Sequence, residues 1–177
     1  QDCRPLLRLS SDEAKTWSKP VEIIPDSQVG YYVMNNDRVV QLKSGRLVAP
    51  VSQHSAQGHR WHGAGVIMCY LSDDAGKTWR RGKTRLNQRS RKKRIVLQEP
   101  GVVELTDGRL MMFIRTNLGS QYLSYSADGG ETWTQAAASD ILSPQSPASI
   151  ERIPTTGDLL MVWNDHRKID VARRGKR

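Results

Sequence analysis

The pattern of apolar and polar residues repeats along the chain. Segments 38–50, 101–115 and 149–163 each contain an apolar run, a polar turn and a second apolar run. Short apolar runs joined by a turn that contains glycine are typical of β-hairpins. The sequence therefore predicts three antiparallel hairpins, with turns at Gly45, Gly108 and Gly157.

A second pattern, eight residues long, alternates with these hairpins. Segments 72–79 and 126–133 both read S-x-D-x-G-x-T-W, and segment 10–17 differs only in having alanine at the glycine position. In such a turn the aspartate accepts hydrogen bonds from nearby backbone, the glycine adopts a positive φ, and the tryptophan packs between sheets. We therefore predict structural roles, not catalytic ones, for Asp12, Asp74, Asp128, Trp17, Trp79 and Trp133.

Together the two patterns predict blades of a β-propeller. One hairpin supplies strands A and B of a blade, and the strands on either side of the eight-residue turn supply strands C and D. We expect residues 1–34 to end one blade, 35–88 and 89–140 to form two blades, and 141–177 to begin another. The prediction is an all-β fold with about three blades' worth of strands.

An arc of blades leaves its end faces uncovered. The sequence is therefore compatible with two arrangements. The chain is either a portion of a larger propeller or a half-ring that a second copy completes as a homo-oligomer. We favour the first arrangement.

The eight-residue turns, with R-V-V-Q-L at 38–42 and Q-E-P-G-V-V-E-L at 98–105 between them, resemble bacterial sialidase-like (neuraminidase-like) proteins with BNR repeats. The turns correspond to the Asp boxes of that family, and the resemblance covers essentially the whole chain. It implies a six-bladed propeller and, in catalytically competent members, exo-hydrolysis of terminal sialic acids. It also implies sialylated or other acidic glycans as partners, no cofactor, and a secreted or periplasmic location.

In the family the substrate face lies at the end of the blades opposite the Asp boxes, where A strands start and B strands end. Glu99 starts one hairpin and Arg115 ends it, and they resemble the family's glutamate and the second of its three carboxylate-binding arginines. An arginine suits this task because its planar, charged fork binds carboxylates in a bidentate manner. We predict that Glu99 is catalytic and that substrate contacts Asn36, Asp37, Arg38, Gln98, Arg115, Asn164 and Arg177.

Three parts of the family's machinery have no match in the sequence. They are the first arginine, the acid/base aspartate and the tyrosine nucleophile; Arg152-Ile153-Pro154 has the letters of the first-arginine motif but ends an A strand. We therefore expect a central portion of an exo-α-sialidase that lacks the nucleophile and the acid/base group. The alternative is a non-catalytic BNR-repeat module that binds glycans or has a structural role.

The net charge of +9 adds one further question, because much of it lies in the basic segment 89–94. This segment fits a solvated loop, a surface that steers anionic glycans, or a nucleic-acid contact. It has no interleaved aromatic residues, so we predict no nucleic-acid partner.

Three histidines, His54, His59 and His62, cluster with Trp61 in one loop. They fit a surface loop, a sugar contact or a metal site. No cysteine or carboxylate accompanies them at ligand spacing, so we predict no metal. No apolar run is long enough to span a membrane.

Overall fold

A computed structural model describes residues 2–88 and 95–165. These residues are almost entirely β-strand and loop, with one short 3-10 helix at Asp26–Gln28. The prediction of an all-β fold is confirmed. The strands are β1 (Leu6–Leu7), β2 (Val21–Glu22), β3 (Gly30–Val33), β4 (Val40–Gln41), β5 (Leu47–Ala56), β6 (Val66–Ser72), β7 (Arg80–Arg81), β8 (Leu97–Glu104), β9 (Leu110–Thr116), β10 (Ser120–Ser126), β11 (Ala137–Leu142), β12 (Ser149–Arg152) and β13 (Leu159–Val162).

The strands form four antiparallel sheets that follow one another along the chain. The first sheet pairs β1 with β2, and the fourth pairs β12 with β13. The second sheet has the order β3-β5-β6-β7, with β4 also paired to β5, and the third has the order β8-β9-β10-β11. Apart from β3, which pairs with β5 and not with β4, strands that follow one another in a sheet's sequence are paired, as expected for propeller blades.

Each predicted hairpin is present. The strand pairs are β4 with β5, β8 with β9, and β12 with β13. Their turn residues Gly45, Gly108 and Gly157 have φ values of +89°, +82° and +78°. Side chains make this left-handed conformation costly, which explains the glycine at each turn.

The start of the second sheet differs from the predicted blade boundary at residue 35. Strand β3 pairs with β5, with Gly30 opposite Ala56 and Val33 opposite Ser52. Because β5 is ten residues long, it extends beyond its hairpin with β4 and accepts a second partner. Residues 30–33 therefore lie in the same sheet as the blade that was predicted to begin after them. The other proposed boundaries stay predictions.

The core lies between successive sheets. One cluster of buried side chains joins the first and second sheets, a second joins the second and third, and a third joins the third and fourth. Adjacent residues of one strand point to different clusters: Met112 packs toward the second sheet and Phe113 toward the fourth. This alternation follows from the period of two along a strand, and it makes each blade depend on its neighbours.

The three Asp boxes have the hydrogen bonds that their sequence predicts. In the second box, Asp74 Oδ1 accepts from Ser72 Oγ and from the Thr78 backbone N–H, both at 2.9 Å, and Oδ2 accepts from Thr78 Oγ1 at 2.6 Å. Asp12 and Asp128 accept the equivalent bonds in their own turns. These hydrogen bonds agree with the structural role that the sequence predicts for the three aspartates.

The box tryptophans differ from one another in burial. Trp133 is 8% exposed, and its indole N–H donates to the Gly130 carbonyl at 3.0 Å. Trp79 is partly buried and makes the same bond to Gly76. Trp17, in contrast, is 52% exposed. Within the described residues, packing between sheets is thus seen for two of the three predicted tryptophans.

Acid is expected to weaken the fold through the Asp boxes. The hydrogen bonds from Thr78 hold the pKa of Asp74 at about 2, below its ordinary value of 3.8. A carboxylate whose pKa is lowered by folding contributes stability above the unfolded-state pKa and loses it as pH falls toward the folded-state pKa. We therefore expect the free energy of unfolding to fall between about pH 4 and pH 2, and less steeply in Asp74→Asn.

Urea unfolding followed by circular dichroism at several pH values checks this expectation. Asp140→Asn changes an exposed aspartate in β11 and serves as the matched control. Identical pH dependence in Asp74→Asn and the wild-type protein would contradict a stabilising role for the ionised box aspartate.

A group of charged side chains joins the second and third sheets on the Asp-box side. Arg46 donates to Asp73 at 2.6 Å and to the Gly129 carbonyl at 3.2 Å, and it pairs with Glu131 at 3.4 Å. Arg80 also contacts Glu131. Each of these partly exposed ion pairs makes a modest contribution to stability. Together they connect the second and third sheets.

Candidate functional site

Glu99 and Arg115 form an ion pair across the first two strands of the third sheet. Arg115 Nη1 donates to Glu99 Oε1 at 2.6 Å. Both side chains are largely shielded, with 23% of the Arg115 side chain and 19% of that of Glu99 exposed. Glu99 lies near the start of β8 and Arg115 near the end of β9, which agrees with the predicted hairpin, while their roles stay predictions.

A β-bulge sets the direction of the Glu99 side chain. Gln98 pairs with Arg115 and Gly101 pairs with Phe113, so β8 has one more residue than β9 between the two pairs. Pro100 lies inside this bulge, where its missing N–H removes no ladder hydrogen bond. Glu99 has a φ of +49°. Such a conformation costs a residue with a side chain about 1–3 kcal/mol and is characteristic of functional sites.

The ion pair leaves part of its hydrogen-bonding capacity unused. Glu99 Oε2 and Arg115 Nε are both buried, and neither has a hydrogen-bond partner within the described part of the chain. Buried charged groups normally find partners, because an unmet donor or acceptor is expensive. The ion pair could therefore form a further hydrogen bond with a polar group of a ligand.

A cavity of about 460 Å³ opens over the pair. Three sets of residues line it: strand β3, the end of β5 with the loop that follows, and the hairpin of the third sheet. A volume of this size is within the range of small-molecule sites, which combine apolar walls with a few convergent polar groups. The lining residues are Tyr31, Val33, His54, Trp61, Gln98, Glu99 and Arg115.

His54 and Trp61 form one wall of the cavity. Their rings are stacked, with centroids 5.5 Å apart and planes inclined by 15°. His54 is 2% exposed, and its Nδ1 lies 2.8 Å from the His62 carbonyl, which can only accept, so Nδ1 carries a proton. Burial lowers the pKa of His54, which favours the neutral ring. Trp61 stays 54% exposed and presents its other face outward.

Gln98 lines the cavity and also holds the loop that contains Trp61. Its side-chain N–H donates to the Gly63 carbonyl at 3.1 Å, and the Leu97 backbone N–H donates to the Ala64 carbonyl at 3.1 Å. The loop that contains Trp61 is thus attached to the start of β8. The sequence prediction gave Gln98 a substrate contact, and the structure gives its amide a partner in the protein.

The other predicted contacts lie elsewhere. Asn36 and Asp37 are exposed in a turn, while Arg38 is 8% exposed. Asp37 and Arg38 line a separate cavity of about 480 Å³, between β4, β8 and β12. The structure therefore does not bring these residues to the cavity over Glu99, and their contact with substrate stays a prediction.

Two further predictions concern the C-terminal part of the chain. Asn164 is exposed, and its amide donates to Ser146 Oγ at 3.2 Å. Arg177 lies outside the described residues, as does the basic segment 89–94. Substrate binding by these residues stays a prediction.

Sequence reasoning missed Tyr31 and Val33. Both lie on β3, which was assigned to the preceding blade and was therefore not considered as part of the substrate face. In the structure β3 alternates between buried and partly buried positions from Gly30 to Val33, but its sequence G-Y-Y-V shows no polar and apolar alternation that could have predicted this.

Neither a metal site nor a membrane-spanning helix is seen in what the structure describes. Across residues 2–88 and 95–165, no group of three His, Cys, Asp or Glu side chains is placed to hold a metal ion. Over the same residues, no helix is long and apolar enough to cross a membrane. Of the histidines near Trp61, His54 contributes a ring to the cavity wall, and the His62 carbonyl accepts from it.

Comparison with known proteins shows the family. Residues 2–176 match the family model described as a BNR repeat-like domain. The chain belongs to the BNR repeat-like family. A sialidase of Bacteroides fragilis (strain YCH46) is 30% identical to this BNR-repeat protein over 146 residues, which is 80% of the chain and 24% of that sialidase.

Solved structures show the same fold for the BNR-repeat chain. A Dyadobacter fermentans protein of unknown function superposes with a TM-score of 0.66 at 22% identity, and a Hadza microbial sialidase with 0.65 at 24%. Each match covers 88% of this chain, with 43% and 30% of the other protein. The prediction of a sialidase-type propeller with about three blades present is confirmed. The chain spans about a quarter of the curated sialidase that it matches.

Proposed function

We propose that the chain supplies the Glu99–Arg115 portion of a sialidase-type site that acts on terminal sialic acids of glycans. The observation that carries the proposal is the ion pair in a strained bulge beneath the cavity. The similarity to the Bacteroides fragilis sialidase supports the substrate class. The resemblance of Glu99 and Arg115 to the family's glutamate and second arginine supports their roles.

Arg115 is the group that binds the sugar carboxylate in this proposal. One of its nitrogens already contacts Glu99, while Nε is buried without a partner in the described residues. Because 23% of the Arg115 side chain is exposed, a carboxylate that enters the cavity would meet the guanidinium, of which Nη1 contacts Glu99. A charge-assisted hydrogen bond in a shielded site is about twice as strong as a neutral one, so this contact would orient the sugar ring.

Glu99 has a different task, because a carboxylate repels the anionic sugar. In the family the glutamate takes the hydroxyl proton of a tyrosine as the tyrosine oxygen attacks the anomeric carbon, and the acid/base aspartate gives a proton to the glycosidic oxygen, which leaves. Water then releases the sugar. The constrained backbone of Glu99 and its bond to Arg115 fix the carboxylate relative to the bound sugar, which is what a proton-transfer group requires.

Glycan binding without turnover is the second candidate function. The observation that favours it is the outward face of Trp61, which is 54% exposed beside the cavity. An aromatic face supports a sugar ring by stacking but contributes nothing to bond cleavage. The two candidates share the sugar and differ only in the role of Glu99.

Glu99→Gln distinguishes the two candidates. If the site is catalytic when the tyrosine and the acid/base aspartate, which have no match in this sequence, are supplied from outside this chain, the variant releases fluorophore from a fluorogenic sialoside about 100-fold more slowly or worse, as is usual when a proton-transfer group is lost. Its affinity for free N-acetylneuraminic acid, followed by tryptophan fluorescence, is expected to equal or exceed that of the wild-type protein. The reason is that a negative charge facing the ligand carboxylate has been removed.

The control ligand is N-acetylglucosamine, which has no carboxylate and should not bind. Full activity in Glu99→Gln would contradict the catalytic role. Binding of sialic acid by a wild-type protein that releases no fluorophore would support the binding module. Absence of both binding and release would contradict both candidates.

A further inference from the structure

Arg38 is a buried charge at a place where packing alone does not require one. Its residue is 8% exposed, and burial lowers the pKa of its guanidinium, although arginine stays charged in proteins. Its Nε is buried and has no hydrogen-bond partner in the part of the chain that the structure describes. Burying a charge with incomplete partners is costly, so a specific contribution must offset the cost.

The guanidinium joins three sheets. It extends from the turn before β4 in the second sheet, lies over the Phe113 ring of the third sheet at 5.3 Å, and donates from Nη2 to the Ala148 carbonyl at 2.7 Å. Ala148 directly precedes β12 in the fourth sheet. The position of the group is therefore fixed from two sides, by a ring face and by a carbonyl.

The backbone of Gly101 lies in close contact with the side chains of Phe113 and Arg38. A Cβ atom at that position would lie 2.2 Å from Phe113 Cζ and 2.7 Å from Arg38 Nη1. Gly101 is the residue at which the regular ladder resumes after the Glu99 bulge. Phe113 and Arg38 thus form the support on which the bulge ends, two residues from the Glu99 side chain.

The charges of Arg38 and Glu99 also interact. Glu99 is the first of three acidic residues whose charges favour the Arg38 cation, with Asp37 and Glu151. No direct bond joins the Arg38 and Glu99 side chains in the described contacts, so any influence passes through the backbone of 99–101 and through space. A strained φ persists only where the surroundings over-determine it.

We propose that Arg38 is a positioning residue, which holds Gly101 in place and so keeps Glu99 in its bulged conformation. This inference rests on the proposed function and revises the direct substrate contact that the sequence predicted for Arg38. Its effect is expected on the reaction step more than on binding, because Arg115 on β9 is not part of the support.

Arg38→Met tests the proposal, with Arg46→Met as the matched control. Both variants remove an arginine that joins the second and third sheets, but Arg46 lies on the Asp-box side. We expect each to lower Tm by a few degrees. We expect only Arg38→Met to lower kcat for a fluorogenic sialoside, by about 10- to 100-fold with KM within about threefold, because small displacements of a reacting group have effects of this size.

Hydrogen exchange provides a second readout that does not depend on activity. Peptides covering 97–104 are expected to exchange about tenfold faster in Arg38→Met than in wild type, and to be unchanged in Arg46→Met. Arg38→Lys retains the charge but not the planar fork, and it should resemble Arg38→Met.

The outcomes separate this inference from the proposed function. If the wild-type protein neither releases fluorophore nor binds sialic acid, the proposed function fails, and exchange in 97–104 alone decides whether Arg38 supports the bulge. Unchanged exchange in Arg38→Met, equal kcat losses in both methionine variants, or full activity in Arg38→Lys would each overturn the positioning role.

Discussion

Arg115→Met is expected to weaken the binding of N-acetylneuraminic acid by about 30-fold or more. Truncating one partner of a shielded charge pair with a bound ion costs about 2–5 kcal/mol, which corresponds to this loss of affinity or a larger one. Methionine fills similar space, so the cavity over the ion pair keeps its shape. Isothermal titration of the folded variant measures the effect.

The same substitution should also destabilise the protein, for a different reason. It leaves the Glu99 carboxylate shielded from water without the partner that now donates at 2.6 Å. An unpaired charged acceptor of this kind costs about 1–3 kcal/mol of unfolding free energy. The double variant Glu99→Gln/Arg115→Met removes the unpaired charge, and it should recover most of the stability while binding stays lost.

This pair of measurements distinguishes a binding role from a structural one. If Arg115 only neutralises Glu99, the double variant recovers sialic acid binding together with stability, which would contradict the proposed carboxylate contact. If Arg115 binds the sugar, stability and affinity respond separately. A coupling free energy near zero between the two substitutions would contradict the ion pair itself.

The blade architecture could be predicted because the information for it is local. Eight consecutive residues define the Asp box that contains Asp74, and its hydrogen bonds join Ser72, Asp74 and Thr78. The hairpin glycines have positive φ values that few other residues tolerate. Strand alternation then determines which side chains enter the core between sheets, as for Met112 and Phe113.

The site could be predicted only in part, because its geometry depends on contacts between distant segments. Glu99 and Arg115 were found because both lie at one end of a single hairpin. The burial of Arg38 was not foreseen, since it depends on Phe113 and on the Ala148 carbonyl, which is 110 residues away in sequence. Tyr31 was missed because a long β5 accepts a second partner strand, a feature that no local pattern in β3 encodes.

The two ends of the blades therefore have different physical characters. At the Asp-box end, turns satisfy their own hydrogen bonds, and charged contacts such as that of Arg46 with Asp73 add inter-sheet support. At the other end, Glu99 has a strained backbone, and buried polar atoms lack partners in the described residues. The contacts at the Asp-box end help to offset the cost of the strained backbone and of the unmet hydrogen bonds at the other end. Strain and unmet hydrogen bonds of this kind are typical of binding and catalytic sites.

If the Asp-box end stabilises the fold, removal of a buried box tryptophan should lower the free energy of unfolding strongly. We expect Trp133→Ala to lower the free energy of unfolding by about 3–5 kcal/mol, the range found when large aromatic side chains are removed from a core. Trp133 is 8% exposed and packs in the cluster that joins the second and third sheets. Its backbone N–H also donates to Thr84 Oγ1 at 3.0 Å, which holds the turn against the preceding blade.

Trp17→Ala is the matched control, because Trp17 has the same position in its box but is 52% exposed. An exposed substitution of this kind changes stability by about 0.5 kcal/mol or less. Urea unfolding followed by far-UV circular dichroism compares the two variants without relying on tryptophan fluorescence. Equal losses would mean that the box tryptophan acts within its own turn, since both turns would then need it alike. A loss confined to Trp133→Ala would mean that it acts by packing one blade on the next, so that the contribution of an Asp box depends on the neighbouring sheet and not on the motif alone.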